Sequence, residues 1–241
     1  MLEKTRGIFL HYIHYSDSSI IARIYTEKFG QQSYIVNGLR SKKSDLKINL
    51  FQPLFLLDLE VYHKTGRNIQ RLKNARIAVP FDHLPFNIIK SSQAIFIAEI
   101  LMKCLKEEEA NPELFNFVFH AARLLDLQDE GMQNFLVAFL FRLTRYLGVA
   151  PQMPLRSDFR FFDLVSASFK QEEPVHNHFL GVETTQKFAE LSQFELSELE
   201  KLPLLNRHRT ELLSGLLEYY RIHMDLSGEI KSLAVLKEVL K

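Results

Sequence analysis

Gln32-Ser-Tyr-Ile-Val-Asn-Gly-Leu-Arg-Ser-Lys-Lys-Ser-Asp-Leu-Lys47 decides the fold class of this chain. Its first five residues have the aromatic and β-branched content of a strand, and Asn37-Gly38 ends that strand with turn chemistry. Asn-Gly usually announces a tight hairpin. Here the following residues are polar and basic without strand periodicity, so a mobile loop is expected. Working outward, residues 6 to 15 and 18 to 27 read as a hairpin turned at Ser16-Asp17, and Phe29-Gly30 makes the next turn. Beyond the loop, strands are expected from about residue 52 to 63 and from about 68 to 79, separated by Lys64-Thr-Gly66 and ended by Pro80. Five antiparallel strands with a long connection between the third and fourth match a small oligonucleotide-binding (OB) barrel better than a sandwich.

The same eighty residues hold 13 Lys+Arg against 6 Asp+Glu, a net of +7, whereas residues 81 to 241 carry a net of −6. A whole-chain charge of +1 hides this division. A basic strand-rich module joined to an acidic one points to polyanion binding by the first part, because phosphate neutralisation dominates nucleic-acid affinity. Arg40, Lys42, Lys43 and Lys47 occupy four of eight consecutive positions in the loop, opposed only by Asp45. Arg67, Arg71, Lys73 and Arg76 follow along the fifth strand. With Tyr34 and Tyr62 available to stack on bases, these eight cations are the candidate DNA-binding residues, in the manner of OB domains that hold single strands.

After Pro80 the pattern becomes helical. Asn87 can cap a helix from 88 to about 106, and Asn111-Pro112 opens one that ends near Leu127. A third is expected from Met132 to Leu147, stopped by Gly148 and Pro151. Residues 151 to 181 read as an irregular surface excursion. Helical spacing returns from Thr184, with further helices opened by Asn206 and covering about 230 to 240. The predicted architecture is α+β in two domains, a five-stranded OB barrel over 1–80 and an α-helical domain over 81–241. The single Cys104 cannot make an internal disulfide and reads as a small buried hydrophobe. The N-terminus lacks signal-peptide character, and the apolar run Phe135 to Phe141 is too short to span a bilayer. A cytoplasmic protein without membrane attachment is expected.

No phosphate-binding loop, nucleophile elbow or zinc-protease helix motif occurs. His176-Asn-His178 lacks the further ligands that a metal site recruits, and His11 and His14, three apart on a strand, face opposite ways. No metal, cofactor or catalytic residue is expected. Two other readings compete: a metal-dependent hydrolase using Asp158, Asp163, His176 and His178, and an RNA-binding adaptor.

Thr26-Glu-Lys-Phe-Gly30, Asn37-Gly-Leu-Arg-Ser-Lys-Lys-Ser44 and Leu50-Phe-Gln-Pro-Leu54, in this order and spacing, resemble the N-terminal domain of the bacterial recombination mediator RecO family. The resemblance extends through the helical half. It implies an OB domain followed by a helical domain, binding to single- and double-stranded DNA, and annealing of complementary strands. It also implies action with RecR to load RecA on DNA coated by single-strand-binding protein (SSB). Many members carry a four-cysteine zinc module that would fall within residues 150 to 181, where this chain has no cysteine, so no zinc is expected. Members also dock the SSB tail on the helical domain. An apolar pocket beside a cation is what such a carboxylate-ended tail requires, and Phe135, Phe139, Arg142 and Arg145 are the candidates for it.

Overall fold

The computed structural model describes residues 1–39, 46–105, 109–154, 158–224, 226 and 228–239. All five expected strands are present: β1 (Leu2–Ser16), β2 (Ser19–Thr26), β3 (Gly30–Val36), β4 (Leu56–Tyr62) and β5 (Gln70–Ile77). They close into a barrel of order β1-β2-β3-β5-β4. β1 makes closure possible because it is long, pairing with β4 through its first half and with β2 through its second. At the crossing, a Cβ on Gly7 would lie 2.5 Å from Leu59 and 2.7 Å from Ile24, so only glycine fits between the two neighbouring strands. β3 runs parallel to β5, the one parallel pairing in the barrel. This topology is that of an OB-fold.

Alternation fills the barrel with Phe9, Ile24, Val36, Leu59, Val61 and Leu72, among others. Leu46 and Phe51, from the connection between β3 and β4, are buried in the same core. A β-bulge between Phe9 and His11 reverses the alternation of β1. Phe9 pairs with the inward Ile24, then Tyr12 pairs with the inward Ala22, which leaves His11 and Ile13 on the outside. His11 and His14 pair with Arg23 and Ile20 and so lie on opposite faces.

The remaining elements are α1 (Ile88–Cys104), α2 (Pro112–Leu127), α3 (Phe135–Tyr146), the short strands β6 (Phe161–Asp163), β7 (Ser168–Lys170) and β8 (Phe179–Leu180), α4 (Val182–Glu190), α5 (Asn206–Met224) and α6 (Ser232–Val239). Asn87 caps α1 by accepting from the Ile89 and Lys90 amides at 2.9 and 3.2 Å, and Asn111 does the same for the Leu114 amide at 3.0 Å. No helix among the described residues is long and apolar enough to cross a membrane. The chain forms two compact units, residues 1–126 with 229–241, and residues 127–228.

In the first unit, Arg6 on β1 makes a two-point bond to Glu27 at 2.9 and 2.7 Å while its guanidinium lies over Phe115 and Phe119 of α2. This contact fastens the barrel to α2. Asp126, 2% exposed, accepts the backbone amides of Asp82, His83 and Leu84, fixing the chain where it leaves the barrel. Glu99 of α1 accepts from the Lys231 and Ser232 amides and the Ser232 hydroxyl, which draws α6 back against α1. Burial alone would raise the Glu99 carboxyl, but these bonds outweigh it and hold the group below its ordinary value. Cys104 is buried, as its apolar context predicts.

In the second unit α3 is central, and the Tyr220 hydroxyl of α5 donates to its Leu140 carbonyl at 2.8 Å. The expected irregular excursion contains a small antiparallel sheet of order β7-β6-β8. Phe162 of the middle strand is fully buried against Phe169, Phe188 and Tyr219, with ring centroids 4.9, 4.5 and 6.1 Å away. Thr185 locks the sheet to α4, accepting from the Phe162 amide and donating to the Leu180 carbonyl, both at 2.9 Å. Strands of two or three residues are too short to show a period in sequence.

Candidate nucleic-acid interface

Arg71, Lys73 and Arg76 all project from the outside of β5, but into different electrostatic surroundings. Lys73 stands at a bulge opposite Glu60 and pairs with it at 3.1 Å, while Arg76 bonds Asp58 at 3.1 Å. Lys4 also reaches Glu60, at 3.7 Å, and Lys28 reaches Glu3 at the same distance. Lys4, Lys28, Asp58, Glu60 and Arg76 border a cleft of about 380 Å³ that also takes in Arg6 and Glu27, so cations and carboxylates mingle in it. Lys73, by hydrogen bond and by charge, holds the Glu60 carboxyl below its ordinary range. This flank is close to neutral.

The other flank is not. Arg71 pairs in register with Tyr62 and lies over its ring, 5.8 Å from the centroid, and Tyr62 is 44% exposed. The buried side chain of Gln70 shapes the preceding turn by accepting the Lys64 amide and donating to the Lys64 and Arg67 carbonyls. Gly66 supplies the positive φ of +79° that the turn needs, and Lys64 and Arg67 are displayed in solvent. Arg23 stands outward on β2. Among the described residues none of Arg23, Lys64, Arg67 and Arg71 has a carboxylate partner. Register joins this flank into a row across five strands, Ile13, Ile21, Ile35, Arg71 and Tyr62, all at least partly exposed. Lys47 is exposed near the middle of the connection between β3 and β4, whereas Arg40, Lys42 and Lys43 lie outside the described residues. The other aromatic expected to stack, Tyr34, is fully buried in the barrel core, because β3 turns it inward beside Val36. Sequence reading missed Arg23 and Lys64, whose only signal was the outward phase of β2 and the turn after β4.

On α3, Phe135 and Phe139 are fully buried and stack on each other at 6.2 Å. They form core rather than the wall of an open pocket. Arg142 is a structural clamp, donating to the Phe194 carbonyl and pairing with Glu195 at 3.2 Å. Arg145, one turn closer to the helix end, is exposed. Of the candidate hydrolase residues, His176 contacts Asp163 at 3.4 Å and its ring lies 5.9 Å from that of His178, but His178 contacts Glu218 at 2.5 Å and Asp158 accepts from Gln171. Among the described residues no three His, Cys, Asp or Glu side chains cluster as a metal would require.

Residues 1–81 match the family model for the recombination protein O N terminal, and residues 85–234 match that for the recombination protein O C terminal. The chain belongs to the RecO family. It is 36% identical over 239 residues to the DNA repair protein RecO of Azobacteroides pseudotrichonymphae and 37% identical over 239 residues to that of Phocaeicola vulgatus, covering 99% of each chain in both cases. The RecO of Flavobacterium psychrophilum is 35% identical over 237 residues, 98% of each chain. Residues 150 to 181, where the family resemblance implies a four-cysteine zinc module, contain no cysteine, and Phe162 and Phe169 from this stretch pack with Phe188.

Proposed function

We propose that this RecO-family chain is a nonenzymatic DNA-binding mediator of recombinational repair, with residues 1–80 as its DNA-binding part and residues 81–241 as its helical, partner-recruiting part. It holds single- and double-stranded DNA, anneals complementary strands, and acts with RecR to load RecA on SSB-coated DNA. The observation that carries the DNA-binding reading is the electrical asymmetry of the barrel, in which one flank pairs its cations with carboxylates and the other, among the described residues, leaves Arg23, Lys64, Arg67 and Arg71 without any. Exposed ion pairs are weak enough for phosphate to open, but their carboxylates remain and repel it. Annealing needs no catalytic group, since screening two strands lets base pairing supply specificity. Family membership supports the partner assignments.

Salt dependence of oligothymidylate binding by the full chain tests this. Replacing Arg67 and Arg71 together by Ala is expected to make the log-affinity against log-salt slope shallower by about 1.4, at roughly 0.7 per phosphate contact. Replacing Lys73 and Arg76 leaves the slope unchanged. The quartet Arg40, Lys42, Lys43 and Lys47 accounts for up to about 3 of the slope if all four touch phosphate. Equal losses from the paired and unpaired flanks would defeat the assignment. An RNA of matching sequence that outcompetes DNA would transfer the interface to the RNA-adaptor reading.

For the SSB tail, the exposed cation of α3 is Arg145, so Arg145→Glu is expected to weaken tail-peptide binding about tenfold, or 1.4 kcal/mol, by calorimetry. Arg142→Glu instead lowers stability by releasing the Phe194 and Glu195 contacts. Unchanged peptide affinity in folded Arg145→Glu protein would place the pocket away from α3.

A further inference from the structure

The bulge that turns His11 outward creates a second row beside the apolar one, with His11, Arg23 and Ser33 in direct register across β1, β2 and β3. The two rows are two residues apart along each strand, about 7 Å. Side chains directly opposite on neighbouring strands have Cβ atoms about 5 Å apart. His11 and Ser33 flank Arg23 from either side, so an imidazole, a guanidinium and a hydroxyl can all donate to one phosphate, with the apolar row of Ile13, Ile21 and Ile35 beside them for the bases. We propose that His11, with Arg23 and Ser33, forms a phosphate seat whose affinity for single-stranded DNA is set by protonation of the imidazole. The proposal rests on the DNA-binding reading above and assigns the regulation of that site.

The charges around His11 make the coupling directional. In the free protein partial burial, and then the Arg23 guanidinium, hold the His11 pKa below its ordinary value. Glu99 of α1 acts the other way and is itself occupied by Lys231, Ser232 and the nearby Lys103 charge. A phosphate bound between His11 and Arg23 neutralises the repulsion from Arg23 and adds a negative charge next to the ring. Both effects raise the His11 pKa in the complex. Between the free and bound titrations the protein takes up a proton when it binds, so affinity is highest at low pH and falls as pH rises. A shift of one pKa unit corresponds to a tenfold change in affinity.

Fluorescence anisotropy with a short labelled oligothymidylate, whose bases do not titrate in this range, decides it for the full chain between about pH 6 and about pH 8. Wild type is expected to lose about tenfold more affinity across this range than His11→Gln. His11→Lys, a permanent cation, is expected to hold the low-pH affinity throughout. Circular dichroism confirms folding of both variants, which alter an exposed side chain. If wild type and His11→Gln bind DNA with the same pH dependence, the phosphate seat is overturned while the DNA-binding reading stands. Absence of binding by wild type at every pH overturns both.

Discussion

Asp126→Ala is expected to destabilise the protein by about 3–5 kcal/mol, measured by urea unfolding of the full chain. The carboxylate is 2% exposed and accepts three consecutive backbone amides, from Asp82 at 3.1 Å, His83 at 2.8 Å and Leu84 at 2.7 Å. Alanine removes all three acceptors at once. Each donor left in a buried setting costs about 1–3 kcal/mol, more where the lost partner is charged. The backbone carbonyl of Asp126 also receives the Lys90 ammonium at 2.7 Å, so the lysine stays in place while the negative charge near it disappears. A total near 4 kcal/mol is a large share of the roughly 5–15 kcal/mol that holds a natural domain folded. Asp126→Asn keeps one acceptor oxygen and its cost falls well below that of alanine. If the alanine variant unfolds like wild type, the segment from 82 to 84 is held by something other than this carboxylate.

Phe162→Ala carries an effect of similar size in the second unit, about 3–5 kcal/mol, from transfer and cavity terms together. The ring is completely buried and meets Phe169, Phe188 and Tyr219, so it joins β7, α4 and α5. β6, β7 and β8 contribute only three, three and two residues, too few for backbone pairing alone to be stable. The family resemblance implies zinc within residues 150 to 181, where this chain has no cysteine. Here a chelator is expected to leave the melting temperature of wild type unchanged, while Phe162→Ala lowers it. A chelator-sensitive melt with stoichiometric zinc in the purified protein would overturn this, and a melt unaffected by Phe162→Ala would show that the aromatic cluster is not what secures the sheet.

Much of the barrel was legible because its determinants are local. Alternation in residues 18–27 and 32–36, the turn at Lys64-Thr-Gly66 and the asparagine caps at 87 and 111 each act within a few residues, and the corresponding elements appear in the structure. The candidate interface was legible in composition but not in arrangement. Arg71 and Arg76 look alike on one strand, yet Arg71 faces Tyr62 and Arg76 faces Asp58, because the partner on β4 is a matter of register. Tyr34 looked as available as Tyr62 until β3 was seen to turn it into the core. Phe135 and Phe139 were legible as one apolar stripe of a helix, and a stripe does not say whether it faces solvent or a neighbour.

The sequence by itself determined five strands followed by helices, a basic first part and an acidic second, and kinship with RecO through three ordered motifs. Period, turn chemistry and charge are properties of neighbouring residues and survive in a linear reading. Tertiary structure alone decided which cations are neutralised, that a bulge in β1 puts His11 beside Arg23, and that α6 returns to α1 through Glu99, more than a hundred residues away in the chain. These depend on strand register and on contacts between distant segments, which are settled by closure of the barrel and the burial of side chains from many elements at once, and no local pattern encodes them.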